Sequence, residues 1–219
     1  MTAARYLDSR RKRALDVLVG GAALLVTGPV LGLAALAIRL ETHGHPVYRQ
    51  RRVGLDGRAF ELYKLRTMVT GAESMGSGLA VDEGDDRITR LGAWLRRTSV
   101  DEMPNLINVL RGEMSLVGPR PTVQVQVDRY DDRQRRRLDA RPGITGWAQV
   151  NGRASLPWHE RIELDLWYVE HASLRLDLRI LARTVTMAAA GSTRSPASRA
   201  GRRSTGARRC RGTSGSSST

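Results

Sequence analysis

The pattern of apolar and polar residues is dominated by an uncharged stretch of 22 residues near the start of the chain, residues 17–38. As a single helix it would be about 33 Å long, enough to cross a bilayer core of about 30 Å. Gly28-Pro29 interrupts its middle, and a proline there removes a backbone donor and bends the helix axis. Basic residues flank both ends, whereas a spanning helix usually has its positive excess on the cytoplasmic side only.

Three membrane arrangements and one soluble arrangement fit this stretch. We rank first a re-entrant helical hairpin whose arms, residues 17–27 and 29–38, each reach about halfway into the bilayer core and keep both basic flanks on one side. Thr27 would then offer a partner to backbone groups freed at the break. A spanning helix ranks second. A secretory signal ranks third, because the run exceeds the usual signal core of about 7–15 residues. A buried helix of a soluble protein ranks last.

The pattern downstream predicts one β-hairpin and several helices. Residues 46–69 alternate apolar and polar positions around Asp56-Gly57, a strong tight-turn signal, and predict the hairpin. Residues 141–153 contain three glycines and a proline and predict an ordered loop or a second short hairpin. Helices are predicted at residues 87–97, 158–171 and 173–190.

The last predicted helix carries two stripes. An apolar stripe is formed by Leu174, Leu178, Leu181 and Val185, and a basic stripe by Arg175, Arg179 and Arg183. A helix lying on an anionic membrane explains both stripes, and an amphipathic helix packed on the core explains the apolar stripe equally well.

The chain divides into three regions of an α+β protein. Residues 1–40 are the basic N-terminus and the re-entrant helix broken at Gly28-Pro29. Residues 41–190 are predicted to form one cytoplasmic domain, the candidate catalytic domain. Residues 191–219 are rich in Ser, Thr, Gly and Arg and are predicted to be a disordered basic tail.

Composition removes several classes of function. The net charge is +14, but the last 29 residues hold seven arginines and no acid, so about half of the excess lies in the tail. Specific nucleic-acid binding is therefore weakly supported, and only six aromatic residues are of the phenyl type that stacks on bases. Cys210 is the single cysteine, which excludes an intramolecular disulfide. No zinc-ligand spacing, phosphate loop or dinucleotide-binding glycine motif occurs in the sequence.

The segment "SVDEMPNLINVLRGEMSLVGPRP", residues 99–121, contains an adjacent acid pair, Asp101 and Glu102. With Ser99 as the N-terminal cap of a helix, Glu102 completes a capping box. With Asp101 as the cap, Pro104 falls at the third helical position, where no amide donor is needed. Either register places both carboxylates at a helix N-terminus, where acids offset the helix dipole by about 0.3–1 kcal/mol.

The same geometry allows a catalytic interpretation. A helix N-terminus would keep a carboxylate ionised, and an ionised carboxylate is a nucleophile or a Mg²⁺ ligand. Arg111 and Arg120 then become candidate partners for a phosphorylated substrate. Arg120 stands between two prolines on a stiff backbone, as a geometric clamp would.

Three motifs occur in a fixed order: "KLRTM", "RRTSVDEMPNLINVLRGEMSLVGPRP" and "RPGITGWAQVNGR". They follow an apolar segment with a Gly-Pro break. In this combination the chain resembles the bacterial sugar transferase family, the monotopic polyprenyl-phosphate phosphoglycosyl transferases. The resemblance covers roughly residues 10–185 and is to the minimal form, which lacks the four-helix membrane domain that larger members carry ahead of it.

The resemblance implies a mostly helical monotopic membrane protein with an N-terminal re-entrant helical hairpin, a small β-hairpin and interfacial amphipathic helices. It implies a location at the bacterial inner membrane with the active site on the cytoplasmic face. The implied reaction moves a sugar 1-phosphate from a UDP-sugar to polyprenyl phosphate and releases UMP, through a phosphosugar held on Asp101. Glu102 would assist as a second acid, and Mg²⁺ would bind near Asp101.

Candidate substrate-binding residues are Lys64, Arg66, Arg96, Arg111, Arg120 and Arg153. Anionic membrane lipid is a further expected partner, and downstream glycosyltransferases are possible partners. The alternative function is a non-catalytic, membrane-docked basic scaffold of a polysaccharide assembly system, which would not need Asp101.

Overall fold

The computed structural model describes residues 2–75, 85–152 and 156–192. The predicted tail from residue 193 onward lies outside these residues. The helices are α1 (Ala3–Leu7), α2 (Arg10–Glu41), α3 (Arg90–Thr98), α4 (Asn105–Arg111), α5 (Gln124–Val127), α6 (Asp132–Arg135), α7 (Trp147–Asn151), α8 (Trp158–His171) and α9 (Leu174–Ser192). The strands are β1 (Val47–Val53), β2 (Ala59–Leu65), β3 (Ser115–Val117) and β4 (Gly143–Thr145).

The apolar segment forms one uninterrupted helix, α2, with Pro29 inside it. The prediction of two arms separated at Gly28-Pro29 is wrong in this respect. The predicted role of Thr27 is also wrong. Its hydroxyl donates to the carbonyl of Ala23 at 2.7 Å, whereas the carbonyl that loses its helical donor through Pro29 is that of Leu25. A threonine bonded to the preceding turn in this way favours bending of a helix.

Helix α2 contacts the rest of the protein near both of its ends. Lys12, Asp16 and Gly20 are buried toward its start, and Ala34 and Ile38 are buried toward its end. Between and around them the helix exposes large apolar side chains, among them Leu25 (81%), Val26 (76%) and Leu33 (69%). Within the described part of the chain, α2 is the one helix long and apolar enough to cross a membrane, and only 11% of its most apolar window is buried.

Two of the basic residues before the apolar stretch face the protein. Lys12 Nζ lies 2.6 Å from Asp177 Oδ2 of α9 and donates to the carbonyl of Val117 at 2.8 Å. Arg13 donates to two carbonyls in the last turn of α4, including that of Leu110 at 2.6 Å. Of the basic run at residues 10–13, only Arg10 and Arg11 therefore remain to support the argument from flanking charge.

The predicted β-hairpin is confirmed. Strands β1 and β2 pair antiparallel from Val47↔Leu65 to Val53↔Ala59. The turn contains Asp56 at φ 54° and Gly57 at φ 77°, the left-handed conformations that an Asp-Gly turn provides.

The glycine-rich segment at residues 141–153 is not a second hairpin. Its strand β4 pairs in parallel with β3, through Ser115↔Gly143 and Val117↔Thr145. Gly118 and Gly143 pack backbone to backbone, and a Cβ on either would overlap the other segment. The "GPRP" loop, residues 118–121, follows β3 directly, and this contact packs the first residue of the loop against β4.

The main core lies between α4, β3, α8 and α9, where Val109, Met114, Tyr168 and Ile180 are fully buried. Helix α9 reaches this core through Leu176 and Ile180. Three members of the predicted apolar stripe face outward, since Leu174, Leu178 and Val185 are 42%, 50% and 67% exposed, whereas the fourth, Leu181, is partly buried and packs against the core. The interpretation of the stripe as core packing is therefore wrong for Leu174, Leu178 and Val185.

Candidate active site

The acid pair lies on a short 3₁₀ turn, Val100–Glu102, between α3 and α4. Ser99 ends α3 in the left-handed conformation at φ 59°, and its side chain caps nothing. The residue before α4 is Pro104, which makes no side-chain cap bond either. Neither predicted capping register occurs, so the interpretation of Asp101 or Ser99 as a helix cap is wrong.

The structure brings cations from three separate elements to this turn. Lys64 of β2 lies 2.8 Å from Glu102 Oε1, and Nη2 of Arg120 lies 3.5 Å from the same oxygen. Arg96, in the last turn of α3, donates from Nε to Thr67 Oγ1 at 2.7 Å and acts on Asp101 electrostatically. The predicted site residues that come together are Lys64, Arg96, Asp101, Glu102 and Arg120.

The surroundings of the two acids shift their pKa values in opposite directions. Asp101 is 8% exposed. Burial, followed by the negative charge of Glu102, raises the pKa of Asp101 to about 6, and Lys64 and Arg96 oppose this rise only in part. Burial alone would also raise the pKa of Glu102, but its ion pairs with Lys64 and Arg120 outweigh burial and lower it.

The cations therefore favour the ionised form of Glu102, whereas burial disfavours the ionised form of Asp101. A helix N-terminus would lower the pKa of Asp101, but burial dominates and raises it. The carboxylate of Asp101 accepts a bond from its own amide, which lowers the pKa only slightly against the burial effect.

Two predicted substrate-binding residues are engaged elsewhere. Arg66 donates to the carbonyls of Thr42 at 2.9 Å and His43 at 3.0 Å, beyond the end of α2. Arg111 donates to the hydroxyl of Tyr63 at 2.6 Å and lies over its ring. The structure does not bring either arginine to the acid pair. Arg153 lies outside the described residues.

Sequence reasoning missed residues that hold the Arg120 backbone. Arg137 donates from Nη2 to the carbonyl of Arg120 at 2.7 Å and from Nε to Asp165 Oδ2 at 2.7 Å. Both members of this pair are buried. Arg52 of β1 also approaches the same loop, with Nη1 3.5 Å from the carbonyl of Pro121. In a chain so rich in arginine, residue type gave no signal that could have distinguished Arg52 or Arg137.

Comparison with known proteins decides the family. Residues 7–191 match the sequence model of the family described as "Bacterial sugar transferase". The chain belongs to the bacterial sugar transferase family. This confirms the predicted family and the prediction of a transferase.

Individual members of the family give the range of similarity. The sugar transferase EpsL of Bacillus subtilis is 42% identical over 174 residues, which cover 80% of this chain and 85% of EpsL. The UDP-glucose:undecaprenyl-phosphate glucose-1-phosphate transferase of Caulobacter vibrioides is 46% identical over 183 residues, 80% of this chain and 68% of that protein. The protein of the same description from Escherichia coli K12 is 40% identical over 182 residues, 80% of this chain but only 39% of that protein.

The Mg²⁺ that the resemblance implies can be compared with the oxygen donors of the acid pair. Among the described residues no group of three or more His, Cys, Asp or Glu side chains is placed to bind a metal. Mg²⁺, however, commonly uses one or two protein carboxylates and takes its other ligands from water and substrate phosphates. Asp101 fits this role better than Glu102, because Lys64 and Arg120 already occupy the Glu102 carboxylate.

Proposed function

We propose that the protein transfers a sugar 1-phosphate from a UDP-sugar to a polyprenyl phosphate of the undecaprenyl type, releasing UMP. The observation that carries this proposal is the buried carboxylate of Asp101 beside a cluster of cations centred on Glu102. Phosphoryl transfer needs a positioned nucleophile and positive charge around the phosphoryl oxygens, and this arrangement offers both. Relatives carry descriptions of the same reaction with glucose as the sugar. The reaction would be the first membrane step of exopolysaccharide or other glycoconjugate synthesis.

The proposed chemistry has two displacements at one phosphorus atom. In the first, an oxygen of the ionised Asp101 carboxylate bonds to the sugar-bearing phosphorus, the bond to the bridging oxygen breaks, and UMP leaves. The sugar phosphate is then held on Asp101 as an acyl phosphate. In the second, an oxygen of polyprenyl phosphate bonds to the same phosphorus, and the carboxylate of Asp101 leaves.

The chain's own residues supply positioning and charge in both steps. Lys64 and Arg120, organised by Glu102, would face the non-bridging phosphate oxygens, and Arg96 would balance charge beside Asp101. With a pKa of about 6, Asp101 would be mostly ionised at pH 7 and able to act as a nucleophile. Mg²⁺, held by Asp101 and the substrate, would neutralise charge on the phosphate oxygens when bound.

We propose further that the protein lies at the cytoplasmic face of the inner membrane. The exposed apolar surface of α2 would be immersed in lipid. The outward stripe of α9, flanked by Arg175 and Arg179, would rest on anionic headgroups. Contacts of both ends of α2 with the same catalytic domain support a re-entrant arrangement, since a spanning helix would carry one end across a core of about 30 Å.

An assay of UMP release tests the enzymatic proposal. Detergent-solubilised protein is incubated with Mg²⁺, polyprenyl phosphate and a panel of UDP-sugars. We expect UMP with at least one sugar, no UMP from Asp101→Asn, and unchanged activity from the control Asp56→Asn in the hairpin turn. Without the lipid, one turnover should leave a phosphosugar adduct on the protein, visible by intact mass. No UMP from any sugar of the panel would refute the proposal.

Topology has its own test. Cys210 is replaced by Ser, single cysteines are placed before residue 10 and after residue 41, and each is labelled from one side of sealed vesicles. Labelling of both from the cytoplasmic side is expected. Labelling from opposite sides would establish a spanning helix instead.

A further inference from the structure

Strand β1 carries an arginine, Arg52, that faces the candidate active site and has no role in the proposed reaction. We infer that Arg52 binds phosphate: together with Arg120 it forms a two-guanidinium site for a phosphate group of a substrate. This inference rests on the proposed function, which supplies two phosphorylated substrates.

The register of the hairpin shows which way Arg52 faces. Residues paired directly across an antiparallel ladder lie on the same face, and alternate residues of a strand lie on opposite faces. Arg52 pairs with Phe60, and four pairs further along the ladder Tyr48 pairs with Lys64, on the same face. Phe60 is 8% exposed, so this face packs against the domain, and Lys64 on the same face reaches Glu102. Arg51, the next residue, lies on the opposite, exposed face.

The guanidinium of Arg52 carries a charge that no acid pairs. Its Nε and Nη2 both donate to the neutral amide oxygen of Gln50. Its Nη1 is 3.5 Å from the carbonyl of Pro121, a weak contact at the limit of hydrogen bonding. None of the ion pairs between described residues involves Arg52. Gln50 thus fixes the orientation of the guanidinium without neutralising it.

The surroundings of Arg52 have an excess of positive charge. Burial, and next the positive charge of Arg120, lower the pKa of Arg52, while Tyr48 and then Glu102 partly offset them. Glu102 already pairs with both Lys64 and Arg120. Arg52 has no acid of its own, and Arg120 shares Glu102 with Lys64. Two neighbouring guanidinium groups with so little negative charge beside them are a favourable setting for a phosphate, which arginine binds with two parallel hydrogen bonds.

The second arginine of the site is held in place. Prolines stand on both sides of Arg120, and Arg137 binds its carbonyl at 2.7 Å. The backbone of Arg120 is therefore already ordered in the folded protein, and substrate binding does not have to provide the free energy of ordering it. A mobile surface arginine would lack this support.

A purely structural role for Arg52 makes different predictions from phosphate binding. A structural arginine would change stability when replaced, but it would leave the Michaelis constants for the two substrates unchanged. Replacement of a phosphate-binding arginine would weaken the binding of one or both substrates, and the loss would depend on the charge of the new side chain. The two substrates can be separated, because a double displacement allows kcat/KM to be measured for each.

The test compares Arg52→Gln and Arg52→Lys with the matched control Arg51→Gln on the outer face of the same strand. One arm measures UMP release in a single turnover without lipid, as UDP-sugar is varied. The other measures full turnover as polyprenyl phosphate is varied. Melting curves of each variant report folding. We expect Arg52→Gln to lower kcat/KM by about 10- to 100-fold in at least one arm, Arg52→Lys to lose less, and Arg51→Gln to stay within twofold of the unmodified protein.

The arm that changes identifies the source of the phosphate. A loss in the first arm assigns Arg52 to the diphosphate of the nucleotide sugar, and a loss in the second assigns it to the lipid phosphate. A folded Arg52→Gln within twofold of the unmodified protein in both arms would overturn the inference, as would an equal loss in Arg51→Gln. If Arg52→Gln does not fold, Arg52→Lys decides by the same criteria.

Binding of UDP and of inorganic pyrophosphate, measured by calorimetry without turnover, separates this inference from the proposed function. Should the unmodified protein release no UMP but bind either anion, a tenfold weaker binding by the Arg52 variant still supports the phosphate site. Equal binding by the unmodified and variant proteins overturns it.

Discussion

Burial of the Asp101 carboxylate should make the protein less stable than its neutral variant. The substitution Asp101→Asn removes the ionisable group and keeps the size of the side chain. If the acid is catalytic, the variant should therefore gain stability while it loses activity. This pairing of opposite effects is unusual, because most substitutions of buried residues destabilise a protein.

The size of the effect follows from the pKa. The pKa of Asp101 rises from 3.8 to about 6 on folding. This rise of about two, at about 1.4 kcal/mol per unit, corresponds to about 3 kcal/mol. Between these two pKa values the folded protein binds more protons than the unfolded chain, so its stability falls as pH increases. The penalty is absent below about pH 4 and complete above about pH 6 to 7.

Thermal unfolding in detergent, with EDTA present, measures the difference between the variant and the unmodified protein. For a protein of this size about 3 kcal/mol corresponds to a difference in Tm of about 6–12 °C. We expect that difference at pH 7.5 and almost none at pH 4. Asp56→Asn is the control, since Asp56 is exposed in the hairpin turn and asparagine also tolerates its left-handed backbone.

Two outcomes would contradict this reasoning. One is an Asn variant no more stable than the unmodified protein at pH 7.5. The other is a gain of equal size at pH 4 and pH 7.5, which would trace the stabilisation to packing. Mg²⁺ adds an internal check: if Asp101 holds the ion, Mg²⁺ should raise the Tm of the unmodified protein and leave that of Asp101→Asn unchanged.

Three further predictions concern activity and membrane binding. If the ionised form of Asp101 is the nucleophile, as we propose, kcat/KM for the UDP-sugar should fall about tenfold per pH unit below about pH 6. A profile flat to pH 5 would exclude Asp101 from this role. Arg137→Met should destabilise the protein by about 3–5 kcal/mol by leaving Asp165 buried and unpaired. The double variant Arg137→Met/Asp165→Leu should regain stability in melting curves but keep a reduced kcat, because nothing then holds the Arg120 carbonyl; full activity would remove the positioning role. Leu178→Glu on the outward face of α9 should weaken binding to anionic vesicles in sedimentation assays without lowering the Tm, and loss of stability instead would place this residue in the core.

Features set by adjacent residues could be predicted from the sequence. The hairpin was predictable because Asp56 and Gly57 themselves favour its turn. The position of the acid pair was predictable because the motif around it is specific to a family. The buried face of α9 was not predictable, because periodicity identifies an apolar stripe but not the side of the helix that meets the core. The structure buries Leu176 and Ile180 and exposes Leu178.

Features set by distant contacts could not be predicted. Lys12 resembles a membrane-flanking charge in the sequence, and its partner Asp177 lies 165 residues away. The packing of α3 is another case. Its Gly92 lies so close to the segment after β2 that a Cβ on Gly92 would overlap the carbonyl of Thr67. This contact joins residues 25 positions apart, so local capping preferences do not reveal it.

The division of roles between the two adjacent acids follows from their different surroundings. Glu102 shares one oxygen between Lys64 at 2.8 Å and Arg120 at 3.5 Å, and so keeps two cations in place when no substrate is present. A phosphate entering the site would compete with this carboxylate for the same cations and find them already ordered. Asp101 has no direct ion pair among the described residues, so its oxygens stay available for the proposed bond to phosphorus. An acid pair with equal ion pairing would lack this difference, because its nucleophile would be held by the cations that the substrate needs.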